Sequence, residues 1–324
     1  MKLFYVLMLS IFCVVAFIPQ ENSDYSQFTI DTYFCPDCTE NYIQTLLQAQ
    51  ESIYCALYDF KHPDVQKTLD ELATRIPVLL MVHETDYTGS IPLVKRTGRG
   101  LMHHKFCLID ERIILTGSAN PTEKEFTQNN NNILIIESTE LAAVYLQEFQ
   151  RLFFERNFHS QEPLGIHLQT EEHNSLTSIF CPQSHCQEFL LAELSKAEES
   201  IFVLAFTFTA TPVANQLLLA HYDKNIFVKG LFERRQRSQW WEFERLAQHV
   251  DVRLFETPVR GGILHQKVFI IDNHTVLAGS YNPTAAAHTI NNENMLKIVH
   301  QPTVEMFLLE FERLWAYSEE VQNT

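Results

Sequence analysis

Positive charge is scarce in this chain: 24 lysines and arginines stand against 40 aspartates and glutamates, a formal net charge of −16. That balance excludes a protein whose whole surface is a basic coat for nucleic acid, although it says nothing of a local groove. Beyond Ile18 no stretch reads as a membrane span, which needs ~20 apolar residues. There is no H-E-x-x-H and no acidic metal-binding run, so the usual signatures of a metal-dependent hydrolase are missing. Disorder is excluded as well. With 46% hydrophobic and 20% charged residues, a chain of 324 residues can bury a large core, and the size prior allows about two domains.

The N-terminus carries one lysine, Lys2, and then an apolar run from Leu3 to Ile18. Residues 1–20 read as an export signal, with Val14 and Ala16 suited to a peptidase cutting after Ala16. Phe17 and Ile18 prolong the run, so an uncleaved membrane anchor is the alternative, and a buried N-terminal strand the bland one. The expected localisation is therefore export, periplasmic or extracellular, or attachment to the membrane by residues 3–18.

The chain repeats itself. FCPDCTENYIQTLLQAQESIYCALYDF from Phe34 pairs with FCPQSHCQEFLLAELSKAEESIFVLAFTF from Phe180, and LMHHKFCLIDERIILTGSANPT from Leu101 with ILHQKVFIIDNHTVLAGSYNPT from Ile263. Each copy runs from a cysteine pair through a helix-period segment into a β-rich run, then a second helix and a further strand. Each ends in an apolar-periodic helix, Thr139 to Arg156 or Thr303 to Tyr317. Alternation of this kind implies an α/β sandwich with helices flanking a mixed sheet. The halves are placed at 27–158 and 176–318, joined by a polar linker, 159–175. Phe34 to His103 is 69 residues and Phe180 to His265 is 85. The surplus falls around RRQRSQWWEFERLAQHV and reads as an added helix.

Both copies of the second phrase fit H-x-K-x4-D-x6-G-S-x-N without gaps. In an extended strand His103 and Lys105 share one face while His104 and Asp110 take the other, and the same alternation applies to His265, Lys267 and Asp272. A turn then presents Ser118 with Asn120, or Ser280 with Asn282. An imidazole, an ammonium and an amide gathered in this way make half of an anion site. A lone histidine on a strand is ordinarily structural, but that reading needs the coincidence twice.

These residues resemble the phospholipase D superfamily, whose mark is the doubled H-K-D phrase followed by G-S-x-N. The resemblance spans about Tyr33 to Tyr317 and is nearest to the compact nuclease branch. It implies two halves related by a pseudo-twofold axis that pool their half-sites, so that a monomer holds one complete centre. It further implies that one histidine attacks phosphorus to form a phosphohistidine while the other protonates the leaving oxygen. An imidazole pKa near ~6.5 suits both tasks. Lys105, Lys267, Asn120 and Asn282 would stabilise charge on the non-bridging oxygens. With two ammonium groups present no divalent ion or other cofactor is required.

Twenty-eight residues beyond each signature histidine stand Asn131 and Glu293, of which only Glu293 is a carboxylate. In the family an acidic residue near this place holds the histidine of the opposite half, which pairs Glu293 with His103. His103 is therefore expected to be the nucleophile and His265 the general acid, and Asn131 leaves the tuning of His265 open. Asp110 and Asp272 face away and are expected to satisfy backbone groups.

Cys35 with Cys38 and Cys181 with Cys186 can close as disulfides, hold a structural zinc or stay as free packed thiols, and export favours disulfides. Cys55 and Cys107 read as core thiols. Substrate class rests on loops: Lys95, Arg96 and Arg99 in the first half, and Arg234, Arg235, Arg237 and Arg260 in the second, suggest a basic rim for a polyanion. Tyr87, Trp240 and Trp241 are candidates for base stacking. The expectation is a nuclease acting on DNA or RNA. The alternatives are a phospholipase or phosphatidyl transferase and, last, an idle polyanion-binding scaffold.

Overall fold

Two mixed β-sheets, one per repeat, carry the chain in a computed structural model that describes residues 25–320 except 240, 256 and 258. The leader at residues 1–20, with Cys13, lies outside the described residues, as does Trp240. The first sheet is built from β1 (Thr29–Cys35), β2 (Ile53–Phe60), β3 (Val78–Thr85), β4 (Leu93–Lys95), β5 (Lys105–Ile109), β6 (Ile113–Gly117) and β7 (Asn131–Glu137), in the spatial order β1-β7-β6-β5-β2-β3-β4. The second contains β8 (Gly165–Gln169), β9 (Ser175–Cys181), β10 (Ser200–Ala205), β11 (Phe227–Glu233), β12 (Asp251–Phe255), β13 (Lys267–Ile271), β14 (Thr275–Gly279), β15 (Glu293–Val299) and β16 (Glu319–Glu320). Its order, β16-β12-β11-β10-β13-β14-β15-β9-β8, repeats that of the first with an added strand at each end. In both sheets two neighbouring pairs are parallel, β2 with β3 and β3 with β4 in the first and β10 with β11 and β11 with β12 in the second, while the signature strands β5 and β13 run antiparallel to β2 and β10.

The helices follow the repeat: α1 (Thr39–Leu47), α2 (Pro63–Ala73), α3 (Glu123–Thr127) and α4 (Thr139–Phe153), then α5 (Cys186–Leu194), α6 (Thr211–Lys224), α7 (Trp241–Ala247), α8 (Ala285–Thr289) and α9 (Gln301–Trp315). The surplus of the second copy is a 3-10 turn, Arg234–Gln239, running into α7. The polar linker is not structureless. Gly165–Gln169 pairs with β9 as an edge strand, which its alternating G-I-H-L-Q permits.

Every residue of β5 is buried because the sheet is covered on both faces. Cys107 and Ile109 pack outward beneath α1 and α2, whereas Phe106 and Leu108 face inward. The inward layer is shared by the halves. Tyr145, Phe149 and Leu152 of α4 and Phe307, Phe311 and Leu314 of α9 fill one core between the two sheets. Covering both faces is what turns these strands into near-continuous apolar runs.

Cys55 and Cys107, expected to be free core thiols, instead form a disulfide. They stand directly opposite in the β2–β5 pair with Cα atoms 4.0 Å apart. The register that aligns them is a property of the sheet, and a sequence separation of 52 conceals it. Cys35–Cys38 and Cys181–Cys186 also close as disulfides.

Candidate active site

His103 and His265 each sit two residues before a signature strand, at the seam between halves. The N–H of His103 donates to Asn292 O at 2.9 Å, and that of His265 to Asn130 O at 2.9 Å. Each histidine-bearing segment is thereby stitched to the segment that leads into β15 or β7 of the other half. His103 is 7% exposed and His265 5%.

Glu293 Oε2 lies 2.7 Å from His103 Nδ1. The carboxylate is fixed in turn by Ser280 Oγ, which donates to Oε2 at 2.7 Å, and by Asn291 Nδ2, which donates to Oε1 at 3.2 Å. His265 Nδ1 faces two oxygens, Asn131 Oδ1 at 2.9 Å and Glu125 Oε2 at 3.1 Å. Asn131 also donates its amide to Glu125 Oε2, accepts from Ser118 Oγ at 2.9 Å, and Asn120 Nδ2 donates to Glu125 Oε1 at 3.3 Å. Each ring is thus held at Nδ1 by a buried carboxylate from the half that does not carry it, leaving Nε2 as the reactive nitrogen.

Glu125 was not legible as a site residue. It occupies the third position of α3 after the N-cap Thr122, whose side chain accepts from Glu125 N, so the local sequence T-x-x-E reads as a capping box. The backbone N–H of Thr122 is bonded instead to Asn120 O at 2.8 Å, which frees the carboxylate for Asn131 and His265. The available signal was the comparison of repeats, where Glu125 stands opposite Ala287 just as Asn131 stands opposite Glu293. The one-sided acidity inferred from that second comparison is corrected here: both histidines have a carboxylate partner.

Lys105 Nζ donates to His103 O at 2.7 Å and Lys267 Nζ to His265 O, so each ammonium has further protons for an anion. Burial pushes Lys105 down to about 8, and burial together with the charge of Lys105 pushes Lys267 well below the ordinary lysine range. Burial likewise lowers both imidazoles to about 4, against the pull of Glu293 on His103 and of Glu125 on His265. Burial works to raise Glu293, yet the charge and hydrogen bond of His103, with Lys105 nearby, hold it below the usual carboxylate range. His265 and Lys267 do the same for Glu125.

The rest of the signature builds the frame. Gly117 and Gly279 adopt φ of 136° and 141°, and a Cβ at either would collide with the backbone oxygen of Asn132 or Asn294. That close approach lets Ser118 Oγ and Ser280 Oγ each accept an N–H, from Asn132 and Asn294, at 3.0 Å. Asp110 lies at a left-handed turn and accepts the N–H groups of Gln50, Glu51 and Ser52 at 2.7–3.1 Å. Asp272 accepts from Glu198, Glu199 and Ser200 at 2.8–2.9 Å. Both aspartates tie a signature strand to the start of its neighbour.

Two rings that the sequence did not single out flank the histidines. Tyr58 stands edge-on to His103 at 4.8 Å and stacks on His83 at 5.3 Å, while Phe206 stands edge-on to His265 at 4.6 Å. The ammonium groups lie over the same rings, Lys105 5.1 Å from Tyr58 and Lys267 5.0 Å from Phe206.

The basic rim is only partly assembled. Arg99, Arg234, Arg235 and Arg260 are exposed, with Arg235 Nη2 donating to Gly261 O at 3.1 Å beside the segment that leads to His265. Lys95 is exposed and 3.9 Å from Glu84. Arg96 is not part of a rim. It is 6% exposed, lies 3.9 Å over the ring of Phe158 and donates to Thr97 O and Arg99 O, because a flat guanidinium on an aromatic face can seal a loop from within. Tyr87 is also structural, its hydroxyl donating to Asp70 and accepting from Ile91 N. Trp241 is 73% exposed. Arg237 falls in the 3-10 turn, and its side chain lies outside the described residues.

The family model described as cardiolipin synthase, PLD-like domain matches residues 42–153 and 190–315. The chain is 33% identical to a phospholipase D of Rickettsia typhi over 136 residues, 41% of this chain and 65% of that protein. It is 32% identical to the mitochondrial cardiolipin hydrolase of Mus musculus over 125 residues, 35% of this chain and 57% of that one. The match therefore spans less than two thirds of either relative. The fold resembles phosphatidylserine synthase of Haemophilus influenzae Rd KW20, with a TM-score of 0.67, 14% identity, and coverage of 91% of this chain and 89% of that one. Two gapless signatures, their assembly across the seam and the family match over both halves together place this chain in the phospholipase D superfamily.

Proposed function

We propose that the chain is a metal-independent phosphodiesterase that works through a covalent phosphohistidine, with nucleic acid as substrate. The observation that carries the chemistry is the crossed pair of carboxylate–imidazole contacts, Glu293 to His103 and Glu125 to His265, which makes one centre out of two half-sites.

In this reading His103 Nε2 attacks phosphorus while Glu293 keeps the proton on Nδ1 and stabilises the cation that forms. As the P–O bond breaks, the leaving oxygen takes a proton from His265, which must have gained it on substrate binding. The negative phosphate, entering a buried site, favours that gain. His265 is then neutral and removes a proton from water, whose oxygen displaces His103 from phosphorus. Lys105 and Lys267, whose mutual repulsion the incoming anion relieves, hold the non-bridging oxygens. Burial of both imidazoles fits this scheme, because it keeps the nucleophile unprotonated well below neutral pH.

Nucleic acid is favoured by the rings and the charge around the histidines. Tyr58 with His83 on one side and Phe206 on the other place partly exposed aromatic rings beside the two histidines, and rings at a nucleic-acid site can stack on bases. Exposed arginines stand near both entry segments, Arg99 in one half and Arg235 and Arg260 in the other. A phospholipid is the second reading, favoured by relatives whose names are phospholipase D and cardiolipin hydrolase. Purified protein incubated with fluorescent single-stranded DNA and, separately, with vesicles of phosphatidylcholine and cardiolipin separates them. Cleavage of the DNA is expected. Headgroup release without DNA cleavage would move the assignment to lipid, and hydrolysis of neither would leave an idle scaffold.

A further inference from the structure

Both strands that supply histidine partners begin beside a disulfide. Asn131 opens β7 directly opposite Cys35, and Glu293 opens β15 directly opposite Cys181. Opposed residues of an antiparallel pair project to the same face with Cβ atoms ~5 Å apart, so each cystine lies against the side chain that holds a ring. The first bridge reaches further. Within its loop the N–H of Asp37 donates to Phe126 O at 2.7 Å, one residue from Glu125. The second half of each bridge lies at a helix start, Cys38 at the N-cap of α1 and Cys186 at the first residue of α5, so strand end and helix end move as one. All four cysteines are at most 1% exposed.

Stability alone does not account for these bridges. They close loops with sequence separations of only 3 and 5 residues, and a crosslink this local removes little freedom from the unfolded chain compared with one spanning many residues. Their return is local geometry.

We propose that the two disulfides are positioning devices, one for each histidine: Cys35–Cys38 fixes Asn131 and Glu125 against His265, and Cys181–Cys186 fixes Glu293 against His103. Each bridge thus serves the ring carried by the opposite half. The benefit to turnover rests on the phosphodiesterase reading above, whereas the positioning itself does not.

The test is NMR of the two imidazoles in the full chain at neutral pH, using ring 15N shifts for the tautomer and solvent exchange of the Nδ1 proton. In the Cys35→Ala/Cys38→Ala variant the Nδ1 proton of His265 should exchange at least about tenfold faster than in the parent, with His103 unchanged. The Cys181→Ala/Cys186→Ala variant should show the reverse. Turnover of a p-nitrophenyl phosphodiester, measured in parallel, should fall in both. If a variant does not fold, the parent protein is treated with dithiothreitol instead. The reagent passes two electrons and two protons to each bridge it opens and closes to a cyclic disulfide itself, and alkylation with mass spectrometry identifies the opened pair. Rings that stay unchanged when their bridge opens, or that respond equally to either bridge, overturn the proposal. A parent that turns over nothing defeats the phosphodiesterase reading, and the ring signals still decide the positioning.

Discussion

Glu125 holds His265 at 3.1 Å from a position whose counterpart in the second half is Ala287. The carboxylate has moved six residues along the chain, from the place of Asn131 to α3, and still reaches the same ring nitrogen. Glu125→Gln should therefore lower kcat by roughly 10- to 100-fold, the usual cost of losing an orienting carboxylate. Adding Asn131→Asp to that variant should restore part of the loss. Steady-state kinetics on one diester decides it, and no recovery in the double variant would mean that Glu125 acts through fold stability alone.

Replacing His103 by Ala should abolish turnover and covalent adduct together. His265→Ala should leave adduct formation intact for a substrate with a good leaving group such as p-nitrophenolate, giving a burst and then a stall because no base activates water. Mass spectrometry should find phosphate on residue 103. An adduct on residue 265 in the His103→Ala variant would exchange the two roles, and half activity in each variant would mean two independent sites. Turnover should persist in EDTA, with complete loss on thorough chelation counting against metal-independent chemistry.

The acid limb of the rate profile should lie far below the ordinary imidazole range. Burial holds both rings at about 4, so kcat, which reports the bound complex in which His265 already carries its proton, should stay high through pH 6 and fall only as the nucleophile protonates near that value. Activity should also decline above about 8, where Lys105 gives up its proton. Stability follows the same imidazoles. Between about 4 and ~6.5 the unfolded chain binds more protons than the folded one, so stability is full above that window and drops as pH falls through it. Thermal melts across the window check the sign, and a melting temperature that rises on acidification would contradict it.

Neutralising the exposed arginines should weaken nucleic-acid binding without regard to base sequence. Affinity for a single strand should fall with salt by a log–log slope of ~0.7 per phosphate contact, and Arg235→Gln should shrink that slope. Arg96→Gln should behave differently, lowering the melting temperature through the loss of its seat on Phe158 while leaving the slope alone. A reduced slope for Arg96→Gln would return it to the rim.

Much of the fold and of the site is legible in the sequence. The gapless repetition from His103 to Asn120 and from His265 to Asn282 implied two like halves, and the 28-residue spacing picked out Glu293, because both follow from sequence distance within one rigid motif. Glu125, Tyr58 and Phe206 were invisible for a different reason. Their contacts cross the seam or join neighbouring strands, and their local patterns, a capping box and two β-rich runs, are explained by secondary structure alone. The Cys55–Cys107 bridge was hidden in the same way by strand register. Arg96 misled because a loop arginine looks alike in sequence whether it faces water or an aromatic ring.

The single core formed by α4 and α9 between the two sheets makes the molecule a dimer whose subunits are joined by a covalent thread. In a pair of identical subunits every substitution appears twice, and the two histidines must share whatever environment one gene copy encodes. Joined in tandem, the copies are released from that symmetry. One can place its acid on a strand and the other on a helix, one can line its histidine with a phenol and the other with a benzene ring, and attack and protonation can be refined separately.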